Sequence, residues 1–220
     1  MIDYPVNLRL EGRKCLVVGG GTVGLRKVRS LMAAGSGVRL VDPAPPENLP
    51  PQVEVVARPY RREDLEDICL VFAAAGNRSV NARVAAEAKD EGLFVNVADA
   101  PGEGNFTVPA ALRREKLLMA FSTSGGSPAF AALARDAASA HFGEEWGVFL
   151  EIAVALRQKR LTSSKKSEYN RAVLNCLLDS DICGLIAARD RNAIDRLLRT
   201  HFGAAASLAE LEVQLPSGTP

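Results

Sequence analysis

The sequence predicts an α/β protein whose parallel sheet is covered by helices on both faces. Strand and helix signals alternate over the first hundred residues, and the apolar run 15–18 leads directly into the glycine-rich segment Gly19–Gly24. After Gly143 the pattern is helical only. Alternation of this kind is typical of parallel strands joined by crossover helices. A Rossmann-like sheet followed by a helical region therefore accounts for the whole pattern.

Each element of the first hundred residues has its own signal. Gly35 and Gly37 mark the end of the helix that follows the glycine-rich segment, and five prolines between Pro43 and Pro51 require a loop. Short apolar runs between such breaks predict strands, and longer periodic runs predict helices. Beyond the first strand, the expected elements are strands at Val38–Val41, Val53–Ala57, Leu70–Ala74 and Phe94–Val97, a helical turn at Arg62–Asp67 and a helix at Val80–Glu91.

The second half of the chain has a different pattern. A strand at Leu117–Phe121 runs into a Ser/Gly turn, and a helix over Pro128–His141 has Ser127 as its N-cap and proline at its first position. Helical segments follow. Breaks between them are expected near Thr162–Lys165, Asp179–Asp181 and Gly203, with a loose tail over Pro216–Pro220.

These patterns divide the chain into three predicted parts. Residues 1–112 form a dinucleotide-binding domain, residues 113–148 a short strand-and-helix region, and residues 149–220 a helical C-terminal domain. The middle part is too small to bury its own apolar surface. We therefore expect a homodimer built around residues 113–148, which makes them a dimerisation region.

The glycine spacing Gly19-x-Gly21-x-x-Gly24 predicts a dinucleotide site. Gly19 permits a tight turn, Gly21 lets the backbone approach a pyrophosphate, and Gly24 allows close packing of helix on strand. The helix N-terminus supplies unpaired N–H groups for the phosphates. Asp42, at the end of the next strand, can bind a ribose 2′-OH and would repel a 2′-phosphate, so NAD is favoured over NADP.

Composition excludes several classes of function. The 220 residues are 47% hydrophobic and 24% charged with a net charge of +1, which gives no case for nucleic acid or a membrane surface. No apolar stretch is long enough to span a membrane, and residues 1–5 lack the features of a signal peptide. We therefore expect a cytoplasmic protein. The four cysteines have no metal-ligand spacing and are best explained as buried structural residues.

Two places in the sequence could carry chemistry. Ligands gather at the carboxyl ends of parallel strands, here Gly19, Asp42, Ala75 and Asp99. Asp99 is the best candidate for a proton acceptor or donor, although an aspartate that starts a turn before proline and glycine fits its position equally well.

The second candidate is the Ser124-Gly125-Gly126-Ser127 loop before the Pro128 helix, which could bind a substrate carboxylate with its N–H groups. On position alone, an ordinary strand-to-helix turn with a serine cap is the favoured explanation. Arg113 and Arg114, near Lys116 and Arg135, could bind acidic groups of a ligand, although surface arginines are usually only solvated.

Several stretches together carry a family resemblance over residues 1 to about 140. They are Val17-Val18-Gly19-Gly20-Gly21-Thr22-Val23-Gly24-Leu25-Arg26-Lys27, Val80-Asn81, Val95-Asn96-Val97-Ala98-Asp99, Phe106-Thr107-Val108-Pro109-Ala110 and Ser122-Thr123-Ser124-Gly125-Gly126-Ser127-Pro128. In this order they resemble the bifunctional precorrin-2 dehydrogenases/sirohydrochlorin ferrochelatases of siroheme synthesis.

The resemblance implies a reaction and roles for individual residues. NAD⁺ takes a hydride from precorrin-2, a tetrapyrrole with eight carboxylates, to give sirohydrochlorin, and bifunctional members then insert Fe²⁺. Asp99 matches the family's essential aspartate, proposed as the base in both steps. Thr22, Val23 and residues 42–44, with Pro43 among them, match the family's NAD contacts. The Ser-Gly-Gly-Ser loop would lie near the tetrapyrrole. The family fold has the same three parts, including a dimerisation region.

The chain departs from the family pattern at some positions, so alternatives stay open. The family commonly has two acidic residues where this chain has Ala75-Gly76-Asn77-Arg78, and often a cysteine near Gly104. Residues after about 145 match only loosely. One alternative is a dehydrogenase without chelatase activity. Another is a regulatory domain that senses NAD without chemistry, which would need neither Asp99 nor the Ser-Gly-Gly-Ser loop.

Overall fold

The computed structural model describes residues 3–161 and 171–216, and the chain divides into two compact units. The first unit runs to Val108 and includes Ser124–Gly126, while the second holds Pro109–Thr123 and the chain from Ser127 onward. The expected break at Thr162–Lys165 and residues 217–220 of the expected tail lie outside the described residues. The functional boundaries at 112 and 148 remain predictions.

A five-stranded parallel sheet forms the centre of the first unit, in the order β3-β2-β1-β4-β5. The predicted fold class is confirmed. Strand order reverses at β1, which pairs with β2 on one side and β4 on the other. The strands are β1 (Lys14–Val18), β2 (Gly37–Val41), β3 (Glu54–Val56), β4 (Ile68–Ala73) and β5 (Phe94–Val97), and the helices are α1 (Thr22–Ala33) and α2 (Arg78–Asp90).

Helices cover both faces of this sheet. The side chains of β1 point alternately to the two faces and pack against a helix on each. Cys15 and Val17 pack in one apolar cluster with Val28 of α1. Leu16 packs in a second cluster with Val84 of α2. The central strand therefore has no solvated face, which explains why its sequence is a continuous apolar run.

The second unit contains a two-stranded antiparallel hairpin, β6 (Ala110–Arg114) and β7 (Leu117–Phe121), followed by helices. Strand β6 was not predicted, because its Ala-Ala-Leu-Arg-Arg sequence lacks β-branched and aromatic residues. It forms by pairing with β7 across a turn in which Glu115 has φ 49°. The helices are α3 (Pro128–His141), α4 (Glu145–Leu161), α5 (Arg171–Asp179), α6 (Ile182–Ala187) and α7 (Arg191–Phe202).

The helical part of the second unit has its own apolar core. Fully buried side chains from α4, α5, α6 and α7 meet there, among them Ile152, Leu177, Ile182 and Ile194. Residues 203–216 continue as turns rather than helix, and Leu208 seals this core. The predicted breaks near Asp179–Asp181 and Gly203 fall where α5 and α7 end.

Candidate functional site

The glycine-rich turn connects β1 to α1 with little space between them. Gly19 has φ +106°, a conformation that favours glycine, and a Cβ there would collide with the backbone of Ala74 at the end of β4. A Cβ at Gly24 would collide with the carbonyl oxygen of Gly19. These two glycines are therefore required by packing within the fold, whatever the turn binds.

Gly21 serves a different purpose, because space is open around it. It is the N-cap residue of α1 with φ −69°, and a Cβ built there meets no heavy atom within 4 Å. Thr22 and Val23 begin the helix with exposed side chains, and the first turn holds no acidic residue. The first amides of a helix have no partner within it and carry partial positive charge. An open, positive helix end of this kind fits a pyrophosphate.

Asp42 follows β2 and is held by two backbone amides. Its Oδ2 accepts a hydrogen bond from the Gly20 N–H at 2.5 Å, and its Oδ1 accepts one from the Ala44 N–H at 2.7 Å. The exposed Pro43 lies between these anchor points. Each carboxylate oxygen has a second lone pair, so Asp42 can still accept a hydrogen bond from a ribose hydroxyl.

A buried amide organises the turn that follows β4. Asn81 on α2 is fully buried. Its Oδ1 accepts a hydrogen bond from the Ala75 N–H at 2.9 Å, and its Nδ2 donates to the Ala75 carbonyl at 3.0 Å. Helix α2 starts one turn earlier with Asn77 as its N-cap, accepting from the Ser79 N–H. The position of Ala75 therefore depends on α2.

Asp99 lies two residues beyond the end of β5. Its Oδ1 accepts a hydrogen bond from Asn81 Nδ2 at 3.0 Å, and its Oδ2 is 3.9 Å from Arg78 Nε. Arg78 also pairs with Glu103, whose hydrogen bond raises the pKa of the guanidinium. The Asp99 side chain is 39% exposed. Asp99 is thus an accessible carboxylate held on one side, an arrangement suited to proton exchange.

The loop at 124–127 combines strained backbone with helix capping. Ser124 and Gly125 have φ 50° and 82°. Ser127 caps α3 by accepting a hydrogen bond from the Phe130 N–H at 3.2 Å. Its own N–H donates to Thr123 Oγ1 at 3.0 Å. The Ser127 hydroxyl therefore serves as a helix cap here. A role of the loop in binding substrate stays a prediction.

Arg113 and Arg114 are neighbours on β6, but their surroundings differ. Arg114 donates to the Phe142 carbonyl at 2.8 Å and to Ser139 Oγ at 2.9 Å, and it lies 3.2 Å from Glu144. Its guanidinium therefore supports the C-terminal end of α3. Arg113 is exposed, so of the two it is the one open to an acidic ligand.

The structure brings most of the predicted site residues of the first unit to one edge of its sheet. Gly19, Asp42, Ala75 and Asp99 follow β1, β2, β4 and β5, at their carboxyl ends. The order reverses at β1, the position where open α/β sheets bind ligands. Ser124–Gly126 group with this unit, whereas Ser127 and both arginines belong to the second. The site roles of all these residues stay predictions.

Two polar residues of the site were not assigned a role from sequence. Arg78 gives no signal by itself. Asn81, however, shares one face of α2 with Val84, Ala85 and Ala88. The spacing 0, 3, 4 and 7 is that of a buried helical face. A lone asparagine on such a face signals a buried polar contact, since a buried amide needs hydrogen-bond partners.

The cysteines and the described acidic and histidine side chains show no metal centre. Among residues 3–161 and 171–216, no three His, Cys, Asp or Glu residues are grouped to hold a metal ion. Cys15 is fully buried beside Cys69, with 4.0 Å between their sulfur atoms, and burial raises the pKa of its thiol to about 12. A thiol of that kind is unreactive. Among the helices described, none is long and apolar enough to cross a membrane.

Comparison with known proteins agrees with this geometry. Residues 6–110 match a family model described as NAD(P)-binding. A siroheme synthase of Nitrosomonas europaea is 34% identical over 89% of this chain, and one of Ectopseudomonas mendocina is 31% identical over 98%. The solved structure titled "SirC, precorrin-2 dehydrogenase" has a TM-score of 0.73 and 26% identity, covering 90% of this chain and 98% of that one. The chain belongs to the precorrin-2 dehydrogenase family.

Membership of this family, together with the NAD(P)-binding model over residues 6–110, supports a nicotinamide cofactor for this chain. The chain spans less than half the length of the two siroheme synthases, 43% and 47% respectively. In contrast, it matches nearly the whole of the SirC structure. The likeness therefore concerns only a part of the longer relatives.

Proposed function

We propose that this chain oxidises precorrin-2 to sirohydrochlorin, with NAD⁺ as the hydride acceptor. Family membership supports the substrate, and the open N-terminus of α1 beside Gly21 supports the cofactor. The observation that carries the proposal is the Asp99 carboxylate, exposed yet held by Asn81 at the ligand-binding edge of the sheet. A protein that only sensed NAD would need no such group.

Each residue of the edge has a defined task in this proposal. The amides of Thr22 and Val23 bind the pyrophosphate, and Asp42 binds the adenosine ribose and disfavours a 2′-phosphate. When bound, NAD⁺ supplies the acceptor for the hydride. Oxidation of a C–C or C–N unit of the macrocycle releases one hydride and one proton, and Asp99 takes the proton and passes it to water. NADH, a proton and sirohydrochlorin are the products.

We further propose that the same carboxylate serves Fe²⁺ insertion into sirohydrochlorin. Metal insertion displaces two pyrrole N–H protons, so a base at the macrocycle is needed in this step as well. Arg113 and the loop Ser124–Ser127 are the proposed contacts for the substrate's carboxylates. The iron is a substrate here. Its insertion is a separate activity that the chain could lack while retaining the oxidation.

The test is an anaerobic absorbance assay with precorrin-2 and NAD⁺, comparing the wild type with Asp99→Ala. We expect the variant to lose turnover by a factor of about 100 or more, the usual contribution of a positioned base. Calorimetry should show unchanged NAD⁺ binding. Asp90→Asn is the matched control, since Asp90 ends α2 about 18 Å from its first turn. Full activity of Asp99→Ala would disprove the catalytic assignment.

The same assay separates the alternatives. Once oxidation is complete, Fe²⁺ is added, and a spectral change faster than the enzyme-free control establishes chelatase activity. A rate equal to the control leaves a dehydrogenase alone. If the wild type binds NAD⁺ but forms no NADH, the NAD-sensing hypothesis takes the place of the enzyme.

The cellular location and the oligomeric state of the protein are also proposals. We place the protein in the cytoplasm as a homodimer. All four cysteines are free thiols, including the adjacent Cys15 and Cys69, as is usual for proteins of reducing compartments. Fractionation of cells that express a tagged chain would test the location.

A further inference from the structure

The side-chain amide of Asn81 bonds the backbone turn at Ala75 and, in addition, the Asp99 carboxylate. Asn81 is fully buried on the apolar face of α2, where an unpaired amide would be costly. It makes three hydrogen bonds: Oδ1 accepts from the Ala75 N–H, and Nδ2 donates both to the Ala75 carbonyl and to Asp99 Oδ1. Two of these bonds tie down a backbone turn, and the third reaches a carboxylate.

A second asparagine in the same unit shows what the backbone bonds achieve alone. Asn105 Oδ1 accepts from the Val95 N–H at 2.7 Å, and its Nδ2 donates to the Leu93 carbonyl at 2.9 Å. Its side chain therefore bridges one backbone N–H and one backbone carbonyl, as Asn81 does at Ala75. Asn81 differs from the exposed Asn105 in being fully buried and in making the additional bond to Asp99.

We propose that Asn81 is a positioning residue for Asp99. Its bond to Oδ1 fixes one oxygen of the carboxylate and leaves Oδ2, which lies 3.9 Å from Arg78 Nε, to receive the substrate proton. Only an amide combines an acceptor for the Ala75 N–H with donors for two oxygens. Asn81 thus fixes the position of the Asp99 carboxylate, after β5, relative to the turn at Ala75, after β4. The catalytic consequence rests on the proposed function, whereas the contact itself does not.

The contact can be tested without any activity. In ¹⁵N-labelled protein, the side-chain NH₂ signals of Asn81 are compared between the wild type and Asp99→Ala, with those of Asn105 as internal reference. Asp99 is partly exposed, so the variant should fold. We expect one Asn81 proton to shift clearly while the Asn105 signals stay in place. Unchanged Asn81 signals would overturn the proposal.

The role in the reaction is tested by comparing Asn81→Ala with Asn105→Ala. Both lose a bridge between two backbone groups, and both should melt at a lower temperature. We expect kcat to fall about 100-fold in Asn81→Ala, as for other small displacements of a catalytic group, with a much smaller change in KM for NAD⁺. Asn105→Ala should keep its kcat. Equal kcat losses in the two variants would reduce Asn81 to a structural residue and overturn the proposal.

A charge swap provides a further check if Asn81→Ala does not fold. Asn81→Asp places two carboxylates against each other and should lower the melting temperature. Adding Asp99→Asn restores a donor across the contact and should recover much of that loss without recovering turnover. No recovery would contradict the contact. If the wild type itself fails to oxidise precorrin-2, the proposed function falls, while the melting and NMR results still decide the contact.

Discussion

The two aspartates at the sheet edge are held in different ways, and this matches the different tasks proposed for them. Both oxygens of Asp42 accept backbone N–H groups, from Gly20 and Ala44. The orientation of the Asp42 carboxylate is therefore fixed, as the proposed recognition of a ribose requires. Asp99 is held through one oxygen by Asn81 and is 39% exposed. Its second oxygen lies 3.9 Å from Arg78 Nε, beyond hydrogen-bond distance, which fits the proton transfer proposed for Asp99.

Replacing Asp42 should change the choice of cofactor. In Asp42→Ser, the negative charge that repels a 2′-phosphate is lost, while the hydroxyl can still accept one of the two backbone N–H groups. We expect the ratio of kcat/KM for NADP⁺ to that for NAD⁺ to rise at least about tenfold, equal to roughly 1.4 kcal/mol. Both absolute values should fall, because the glycine-rich turn loses one anchor. An unchanged ratio would show that charge at 42 does not select the cofactor.

Asp64 links the stability of the first unit to pH. It is buried and accepts hydrogen bonds from Arg58 at 2.7 and 2.9 Å and from the Arg61 N–H at 2.8 Å. Burial raises the pKa of Asp64, but these bonds outweigh burial and leave it below the ordinary value of 3.8. Its stabilising contribution is therefore complete above pH 3.8 and is lost as the pH falls through the folded-state pKa.

We accordingly expect Asp64→Asn to destabilise the protein by about 2 kcal/mol at pH 7, since the Arg58 pair and its hydrogen bonds are lost. The difference from the wild type should shrink as the solution is acidified below pH 4. Urea unfolding between pH 3 and 7 measures both. Asp67→Asn is the control, because Asp67 is exposed at φ 62°, which asparagine tolerates well. A difference that grows in acid would contradict the assignment.

At the scale of elements, the connection from β1 to α1 separates packing from binding. Gly24 packs against the Gly19 carbonyl, so Gly24→Ala overpacks the junction and should cost about 1–3 kcal/mol of stability. Gly21 faces open space with φ −69°, so Gly21→Ala should melt within a few degrees of the wild type. Its methyl group would nonetheless occupy the approach of the pyrophosphate in the proposed binding mode.

Thermal melting and calorimetric titration with NAD⁺ on this pair of variants test the prediction. We expect Gly21→Ala to lose NAD⁺ affinity at least about tenfold with its stability intact. Gly24→Ala should instead show a clearly lower melting temperature than the wild type. If Gly21→Ala binds NAD⁺ as well as the wild type does, the pyrophosphate does not lie over the start of α1.

At the scale of the whole molecule, helix α3 presents an apolar surface that its own unit does not cover. Phe130 is 61% exposed and Leu133 63% exposed, one helical turn apart. In α3, only Ala131 is buried. An exposed apolar stripe next to a small hairpin is typical of a subunit interface. It supports the predicted dimer around residues 113–148.

Phe130→Glu combined with Leu133→Glu should therefore give a monomer. Charge on this surface would be costly to bury between two subunits. Sedimentation equilibrium of the wild type and the double variant measures the effect, and Ala129→Glu, an exposed neighbour on α3, serves as control. A wild type that remains monomeric at tens of micromolar would contradict the expected homodimer.

Sequence patterns were informative where local chemistry decides the structure. Strands β5 and β7 and helix α3 lie at the predicted residues, because turn glycines, prolines and a serine cap mark their ends. Strand β6 was missed, since its residues have little intrinsic preference for a strand and depend on the partner strand. Residues 204–215, between the expected break at Gly203 and the expected tail, were predicted to be helical, but they form turns and irregular backbone that pack on the second core.

By itself, the sequence determined the α/β class, the glycine-rich turn and the two aspartates that follow strands. These follow from periodicity and from glycine spacing, which are properties of neighbouring residues. Only the tertiary structure decided that Asn81 joins Ala75 to Asp99, that Arg78 lies beside Asp99, and that Arg114 supports α3. Such contacts join side chains distant in sequence, and their partners are chosen by how strands and helices pack.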